Sequence, residues 1–419
     1  MSPARTTPGT RPALTADPLS EAIRGIDTTA LDCVQVNAAV LADAAHGPGT
    51  HLRLGARPRF APRVPRPGRL PTVEQPPPEQ IRSMEQPLGL TLEAGPTVTK
   101  GEELLRLLPE DGSPLYVVAD AHRMPWLPYH GHQHMDHSVL LRSVEGGARV
   151  EAVDAYDNET PYGRAEPVVC VLERAEVATL FDGSPAMPVT VRHAPPALTD
   201  VPRTLEDNAR EAARLLEDDA AGRYTAAFRD HPDQSEACTA LLLETWLLNR
   251  SRRLHAAWTA RSLPGSALAR ATAEQAAAWD ALAGQCYLAV RRVQRGRPAP
   301  PHIHTTLAEL LRADARFAVE AARPGTGGAM HHQPAQVRET VVDTVADVLG
   351  THRETVAATD DLSRLDGFAS FQMVETVERL EDAYNVQFAP GDLEPAALRR
   401  VGGLVDLILR TAGAGVVHQ

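Results

Sequence analysis

The chain has 419 residues, 43% hydrophobic and 23% charged as in soluble globular proteins, with a formal net charge of −12. That length predicts several domains, each with its own core, and the acidic balance argues against nucleic acid as a partner. Cys33, Cys170, Cys238 and Cys286 lie far apart with no CxxC spacing, so neither a disulfide framework nor a zinc knuckle is indicated. No apolar leader opens the chain and no run approaches the length of a membrane span, so a cytoplasmic protein with no membrane partner is expected.

Residues 1–18 are rich in Pro, Thr and Ala and read as frayed. The segment DCVQVNAAVLADAA, from Asp32 to about Ala45, reads as a helix opening at a cysteine. The Pro/Arg stretch over 56–80 reads as a surface loop, LGLTL as a strand, and 101–108 as a helix with a capping box from Thr99 to Glu102. PLYVVA, HSVLLRSV, ARVEAVDA and VVCVL follow as short strands, which together predict an α+β domain over 20–200. From Val201 to Ala322 apolar residues recur at three- and four-residue spacing, predicting four or five helices and no strand, a helical extension over 201–322. A Gly/Pro linker over 323–335 leads to a last domain at 336–413.

In that last domain VRETVVDTVADVLG is an amphipathic helix stopped by Gly350, and two further helical stretches follow, LDGFASFQMVETVERLEDAYNVQF and DLEPAALRRVGGLVDLILR. Between Gln336 and Arg410 there are 14 Asp and Glu against 7 Arg. This region resembles the four-helix acyl- and peptidyl-carrier family across its length. The resemblance implies 4′-phosphopantetheine attached to Ser370, which opens an acidic helix and is followed by Phe371. Met373, Val374, Val377 and Leu380 are expected on one face and Glu375, Glu378, Glu381 and Asp382 on or near the other. A helix N-terminus suits a phosphodiester, and an acidic helix suits basic partners that bind and release quickly. The chain departs from the family in having Ala369 before the serine.

Cys33 stands at a predicted helix N-terminus, where the dipole favours thiolate and lowers the thiol's pKa. His137 opens an apolar strand and Asp154 ends the next, so a base and its orienter can share hydrogen-bond reach. The chain order Cys, His, Asp is that of papain-like folds. Cys33 with Asn37, the strand SPLYVVAD, the segment WLPY, the His-led strand and VDAYDNE resemble the butirosin-type acyltransferase family, papain-like domains followed by a helical region. The match covers roughly 25–322. It implies Cys33 as nucleophile, His137 as base, Asp154 as orienter, the Cys33 N–H as an oxyanion donor and Asn37 as a support for the pocket.

A rival lies in the same place. His132, His134, Asp136 and His137 spell HxHxDH, a pattern of dinuclear hydrolases. That family expects a Gly three residues after the last histidine, opening a helix, whereas Leu140 sits inside a strand pattern, so no metal is expected. In the helical stretch Arg250, Arg252, Arg253 and His255 lie between Trp246 and Trp258. They read as core plus a solvated basic face, or alternatively as a dock for the acidic carrier.

The resulting expectation is an α+β papain-like acyltransferase with a helical extension, joined to its own carrier domain. A phosphopantetheinyl transferase primes the carrier, an adenylating or acylating enzyme loads it, and a small-molecule amine accepts the acyl group. Dieckmann-type cyclisation or hydrolysis would use the same three residues. A scaffold that merely presents a carrier arm is the non-catalytic alternative.

Overall fold

The computed structural model describes residues 18–322 and 334–414, less 59, 67, 197–199, 366, 385–387, 389–392 and 394. The frayed segment expected over 1–18 and the linker expected over 323–335 fall almost wholly outside these residues. Two compact units emerge, one of Met1–Asp200, Glu217–Trp258 and Thr272–Arg312, the other of Val201–Leu216, Thr259–Ala271 and Ala313–Gln419.

The first unit is α+β. Its chain runs α1 (Pro18–Gly25), α2 (Gln35–His46), α3 (Pro77–Leu88), β1 (Leu90–Ala94), α4 (Gly101–Arg106), β2 (Leu115–Asp120), β3 (Asp136–Val144) and β4 (Arg149–Asp154). It continues through β5 (Asn158–Thr160), β6 (Gly163–Ala165), β7 (Val168–Glu173), α5 (Arg174–Phe181) and β8 (Ala186–His193). Six strands form one antiparallel sheet in the order β1-β8-β2-β3-β4-β7, while β5 and β6 make a separate hairpin. The strand segments read from sequence are all present. They are rich in β-branched and apolar residues because β2, β3 and β4 are interior strands buried along most of their length. The sheet packs against α2, whose Val36, Ala38, Ala39, Val40, Leu41 and Ala42 are all buried in the same core as Tyr116, Val139 and Leu141.

Two local expectations fail. The Thr99–Glu102 capping box does not form, because Lys100 takes the cap position of α4 without a side-chain bond. The main chain there is already committed, with Gly183 N donating to Thr99 O and Val98 bridging to Ala186. A side chain at Gly101 would collide with the main chain of Ala178 in α5, so glycine there permits close contact of the two helices. The stretch 56–80 is not a plain surface loop either. Phe60 is buried edge-on against Tyr224, Arg63 and Thr72 pair across it, and α3 begins at Pro77, a proline at a helix start that needs no N–H partner.

The helical stretch holds α6 (Val201–Glu217), α7 (Ala220–Arg229), α8 (Gln234–Ser262), α9 (Ala267–Val293) and α10 (His302–Ala321). In the first unit Glu244 of α8 is buried and accepts from Thr72 Oγ1 at 2.5 Å, Val73 N at 2.6 Å and Tyr224 Oη at 2.6 Å. This one carboxylate pins the Pro/Arg stretch to α7 and α8. His255 likewise bonds Gly55 O at 2.7 Å, and burial pushes its pKa down to about 4. Gly55 is obligatory there, since a Cβ would overlap Leu254 O.

The second unit ends in α11 (Pro334–Leu349), α12 (Arg353–Ala357), α13 (Ser370–Tyr384), α14 (Pro395–Leu398) and α15 (Val401–Ala414). Val337, Val341, Val345, Leu362, Val377, Leu380, Leu404 and Ile408 form its core. Asp360 caps α15, accepting from Gly402 N at 2.8 Å, and that bond with neighbouring Arg400 lowers its pKa.

Candidate active site

Asp32, not the dipole alone, organises the start of α2. Its Oδ1 accepts from Val34 N at 2.9 Å and Gln35 N at 2.8 Å, while Gln35 Oε1 accepts from Asp32 N at 3.3 Å. Val36 N already donates to Asp32 O, so Cys33 lies in a turn that runs directly into α2, two residues ahead of Gln35. Gln80 of α3 holds the other Asp32 oxygen at 2.5 Å. The Cys33 N–H makes no hydrogen bond among the described residues.

Cys33 is half-buried, and its thiol donates to Asp136 O at 3.5 Å, the carbonyl immediately before His137. Ser138 on the other side of His137 donates to Cys33 O at 2.5 Å, so Cys33 is bonded to both neighbours of the histidine. His137 is fully buried, and its Nε2 lies 2.8 Å from Asp154 Oδ2. With Nε2–H donating to that carboxylate, the neutral ring carries its lone pair on Nδ1. That nitrogen is buried without a hydrogen-bond partner among the described residues.

Asp154 is itself held in place. Trp126 Nε1 donates to Oδ2 at 2.9 Å and Tyr156 N to Oδ1 at 3.1 Å, and the Tyr156 ring meets His137 edge-on at 5.1 Å. Asn37, expected as a pocket support, is a fully buried cross-link. Its Nδ2 donates to Ser138 O at 2.8 Å and Oδ1 accepts from Ala155 N at 3.0 Å, tying α2 to β3 and to the end of β4. Tyr116 Oη adds a bond from β2 to Val34 O at 2.6 Å. Tyr116, Trp126, Ser138 and Tyr156 were not singled out one by one by sequence, though each lies in a segment that carried the resemblance: SPLYVVAD, WLPY, the His-led strand and VDAYDNE.

The expected low-pKa thiol is not supported by its surroundings. Burial pushes the Cys33 thiol well up, Asp32, Asp154 and Glu74 push the same way, and Arg250 opposes. A helix terminus whose N–H groups are already capped by a carboxylate gives little net stabilisation to a thiolate. Carboxylates crowd this region. Burial raises Glu74, with Asp136 and Asp32 adding to the effect and Arg63 opposing, and burial with Asp120 raises Asp136. Cys170 and Cys286 are pushed up to about 11, chiefly by burial.

The basic face expected on α8 is not solvated. Arg250 and Arg252 are buried. The Arg250 guanidinium donates to Thr28 O and Leu31 O ahead of Cys33, and to Asp157 O and Asn158 Oδ1 beyond Asp154. It also stacks on Trp246, 4.1 Å from the ring centroid. Arg252 lies over Trp279. These two arginines are therefore internal ties and are closed to a docking partner.

The HxHxDH side chains diverge. His134 bonds Asp120 at 2.5 Å and stacks on His122, His132 stacks on Tyr162, and His137 turns to Asp154. Among the described residues no three His, Cys, Asp or Glu side chains converge as a metal site requires.

In the second unit Ser370 is the first residue of α13, and Met373 N already bonds Ala369 O. Val374, expected on the packed face, is 52% exposed and joins Phe371, 75% exposed, as a surface pair beside Ser370. Val377 and Leu380 are buried as expected, and Thr376 joins them on the face that the helix turns to α11. An open helix start of this kind fits a serine that carries a covalent arm.

A family model described as a phosphopantetheine attachment site matches residues 339–408. No curated protein sequence matches the chain. These residues form a carrier domain, and the domain implies a covalently attached 4′-phosphopantetheine, added by a phosphopantetheinyl transferase and loaded by other enzymes. Among the described residues no helix is long and apolar enough to cross a membrane.

Proposed function

We propose that the chain is a papain-like cysteine acyltransferase fused to its own carrier domain, moving an acyl or aminoacyl group through an acyl-cysteine to an amine in specialised metabolite assembly. One observation carries this reading: Cys33 at the head of a helix, bonded on either side of a buried histidine whose far nitrogen is held by Asp154. That is the arrangement of nucleophile, base and orienter. Its domains are the acyltransferase core at 20–200, its helical extension at 201–322, a linker at 323–335 and the carrier at 336–413.

Ser370 is the attachment residue in this reading, and the arm supplies a thiol that holds the acyl group as a thioester. Cys33 Sγ attacks the acyl carbon while His137 Nδ1 takes its proton. The raised thiol pKa makes this a concerted general-base step and not attack by a standing thiolate. The Cys33 N–H donates to the developing oxyanion. The carbon–sulfur bond of the donor breaks, His137 returns the proton to the departing sulfur, and the acyl group stays on Cys33. An amine then attacks, His137 takes a proton from nitrogen, and the Cys33 sulfur leaves and recovers that proton.

The carboxylates around Cys33 favour a cationic amine acceptor over an internal carbanion. Asp32, Glu74 and Asp136 make the approach electronegative, which draws a cationic acceptor and repels an enolate. The test is mass spectrometry of the protein with a loaded carrier domain. Acyl-Cys33 accumulates without amine and is discharged as an amide when amine is added, whereas Cys33→Ala leaves the acyl group on the arm. Normal turnover by Cys33→Ala overturns the assignment, and discharge without amine reassigns the enzyme as a hydrolase.

A further inference from the structure

In the first unit a turn between α9 and α10 borders an open surface cleft of about 440 Å³ that the proposed reaction does not use. Arg229, Arg297 and His304 line it, with Val293, Pro298 and Pro301 as an apolar wall. The turn is rigidly made. Gly296 has φ +70°, Gly296 N bonds Val293 O at 2.9 Å, and Arg292 Nε reaches across to Pro298 O at 3.3 Å. The walls are therefore placed by the fold.

His304 sits in the first turn of the 20-residue helix α10, whose N-terminal N–H groups and dipole favour an anion. It is only 7% exposed, yet its ring makes no hydrogen bond among the described residues. Its ring nitrogens stay open to the cleft, where a ligand can reach them. Burial and the neighbouring Arg229 cation lower its pKa, with Asp230 opposing, so it waits as a neutral ring. Arg229 is shared with Asp230 through two 2.8 Å bonds, whereas Arg297 has no ion pair among the described residues. An exposed guanidinium without an ion pair, an imidazole open to the cleft and a helix N-terminus thus border one space. The volume exceeds that of inorganic phosphate and reaches the range of small-molecule sites.

We infer that this cleft binds a phosphate monoester with a short apolar stem, the phosphate against Arg297, His304 and the start of α10, the stem against Val293, Pro298 and Pro301. A guanidinium fork, an imidazole and helix N–H groups together offer enough donors for the several acceptor oxygens of a tetrahedral phosphate.

The experiment follows the imidazole Cε1–H signals of the full chain by NMR during titration with propyl phosphate. The expected result is a saturable shift of the His304 signal. Arg297→Ala weakens binding about tenfold or more, by loss of a charge-assisted bond, while Arg295→Ala, outside the cleft, leaves it within about twofold. His304→Gln, which keeps a donor, binds more tightly than His304→Phe. Inorganic phosphate and glycerol 3-phosphate, without an apolar stem, bind more weakly than propyl phosphate. No saturable His304 shift, or an affinity unchanged in Arg297→Ala, overturns the site, and equal affinity for propyl phosphate and glycerol 3-phosphate overturns the assigned ligand class.

Discussion

Trp126 and His137 donate to the same oxygen, Asp154 Oδ2, at 2.9 and 2.8 Å. The carboxylate cannot rotate toward the imidazole's other edge without breaking the indole bond, so the ring's tautomer is set from behind. Asp154→Asn presents an amide where the two donors need an acceptor. Single-turnover acyl transfer should fall by about 10²- to 10⁴-fold with circular dichroism unchanged. Trp126→Phe, which leaves His137 its partner, should cost on the order of tenfold. Equal losses in the two variants would mean that the indole does more than hold the carboxylate.

Alkylation of Cys33 should be slow at neutral pH although the thiol is not fully buried. A pKa raised by burial and nearby carboxylates leaves less thiolate at pH 7 than a free cysteine has, and more appears only as the pH climbs past the ordinary thiol range. The rate constant for iodoacetamide at the Cys33 peptide should rise steadily to pH 9 and beyond. A plateau beginning below pH 7 would identify a standing thiolate–imidazolium pair and overturn the concerted first step.

Ser370 should take one phosphopantetheine arm from coenzyme A and a broad transferase, read by intact mass, and Ser370→Ala should take none. Phe371→Glu and Val374→Glu alter exposed residues, so the domain should melt as wild type while modification slows at least several-fold. A folded wild-type protein that accepts no arm would show that Ala369 disables the site.

Glu244 should matter for stability more than any other single carboxylate in the helical stretch. Glu244→Ala strands Thr72 Oγ1, Val73 N and Tyr224 Oη without an acceptor, and about 2–4 kcal/mol should be lost in urea unfolding. Tyr224→Phe removes one donor and leaves the carboxylate two, for about 1 kcal/mol. Loss of the same size in both would place the effect in ring packing against Phe60 and Phe228.

What the sequence disclosed depended on how local the cause was. The strands around His137 and Asp154 declare themselves because interior strands are apolar and β-branched, and Cys33 because a helix start is a short-range signal. Strand β8 was hidden by Pro188 and by its exposed charged end, and its insertion between β1 and β2 has no local signature. Arg250 was misjudged for a related reason. Arginine at helical spacing looks solvated, and the acceptors that bury it, Thr28 O and Leu31 O, lie 222 and 219 residues away. Asp32 looked like the residue before a cysteine, but its reciprocal bonds with Gln35 and its tie to Gln80 make it the support on which Cys33 is set.

The Arg250 guanidinium reaches main-chain oxygens on both sides of the proposed triad, one pair before Cys33 and one group beyond Asp154. The α+β sheet and helix α8 are consequently not separable as a catalyst and an appendage. A fragment stopping near residue 200 would keep every proposed catalytic side chain and still leave four acceptors without their cation, in the segment before α2 and the one after β4. Inheritance or transplantation of this chemistry must therefore carry α8 along, and a natural homologue lacking that helix would need another buried cation in the same place.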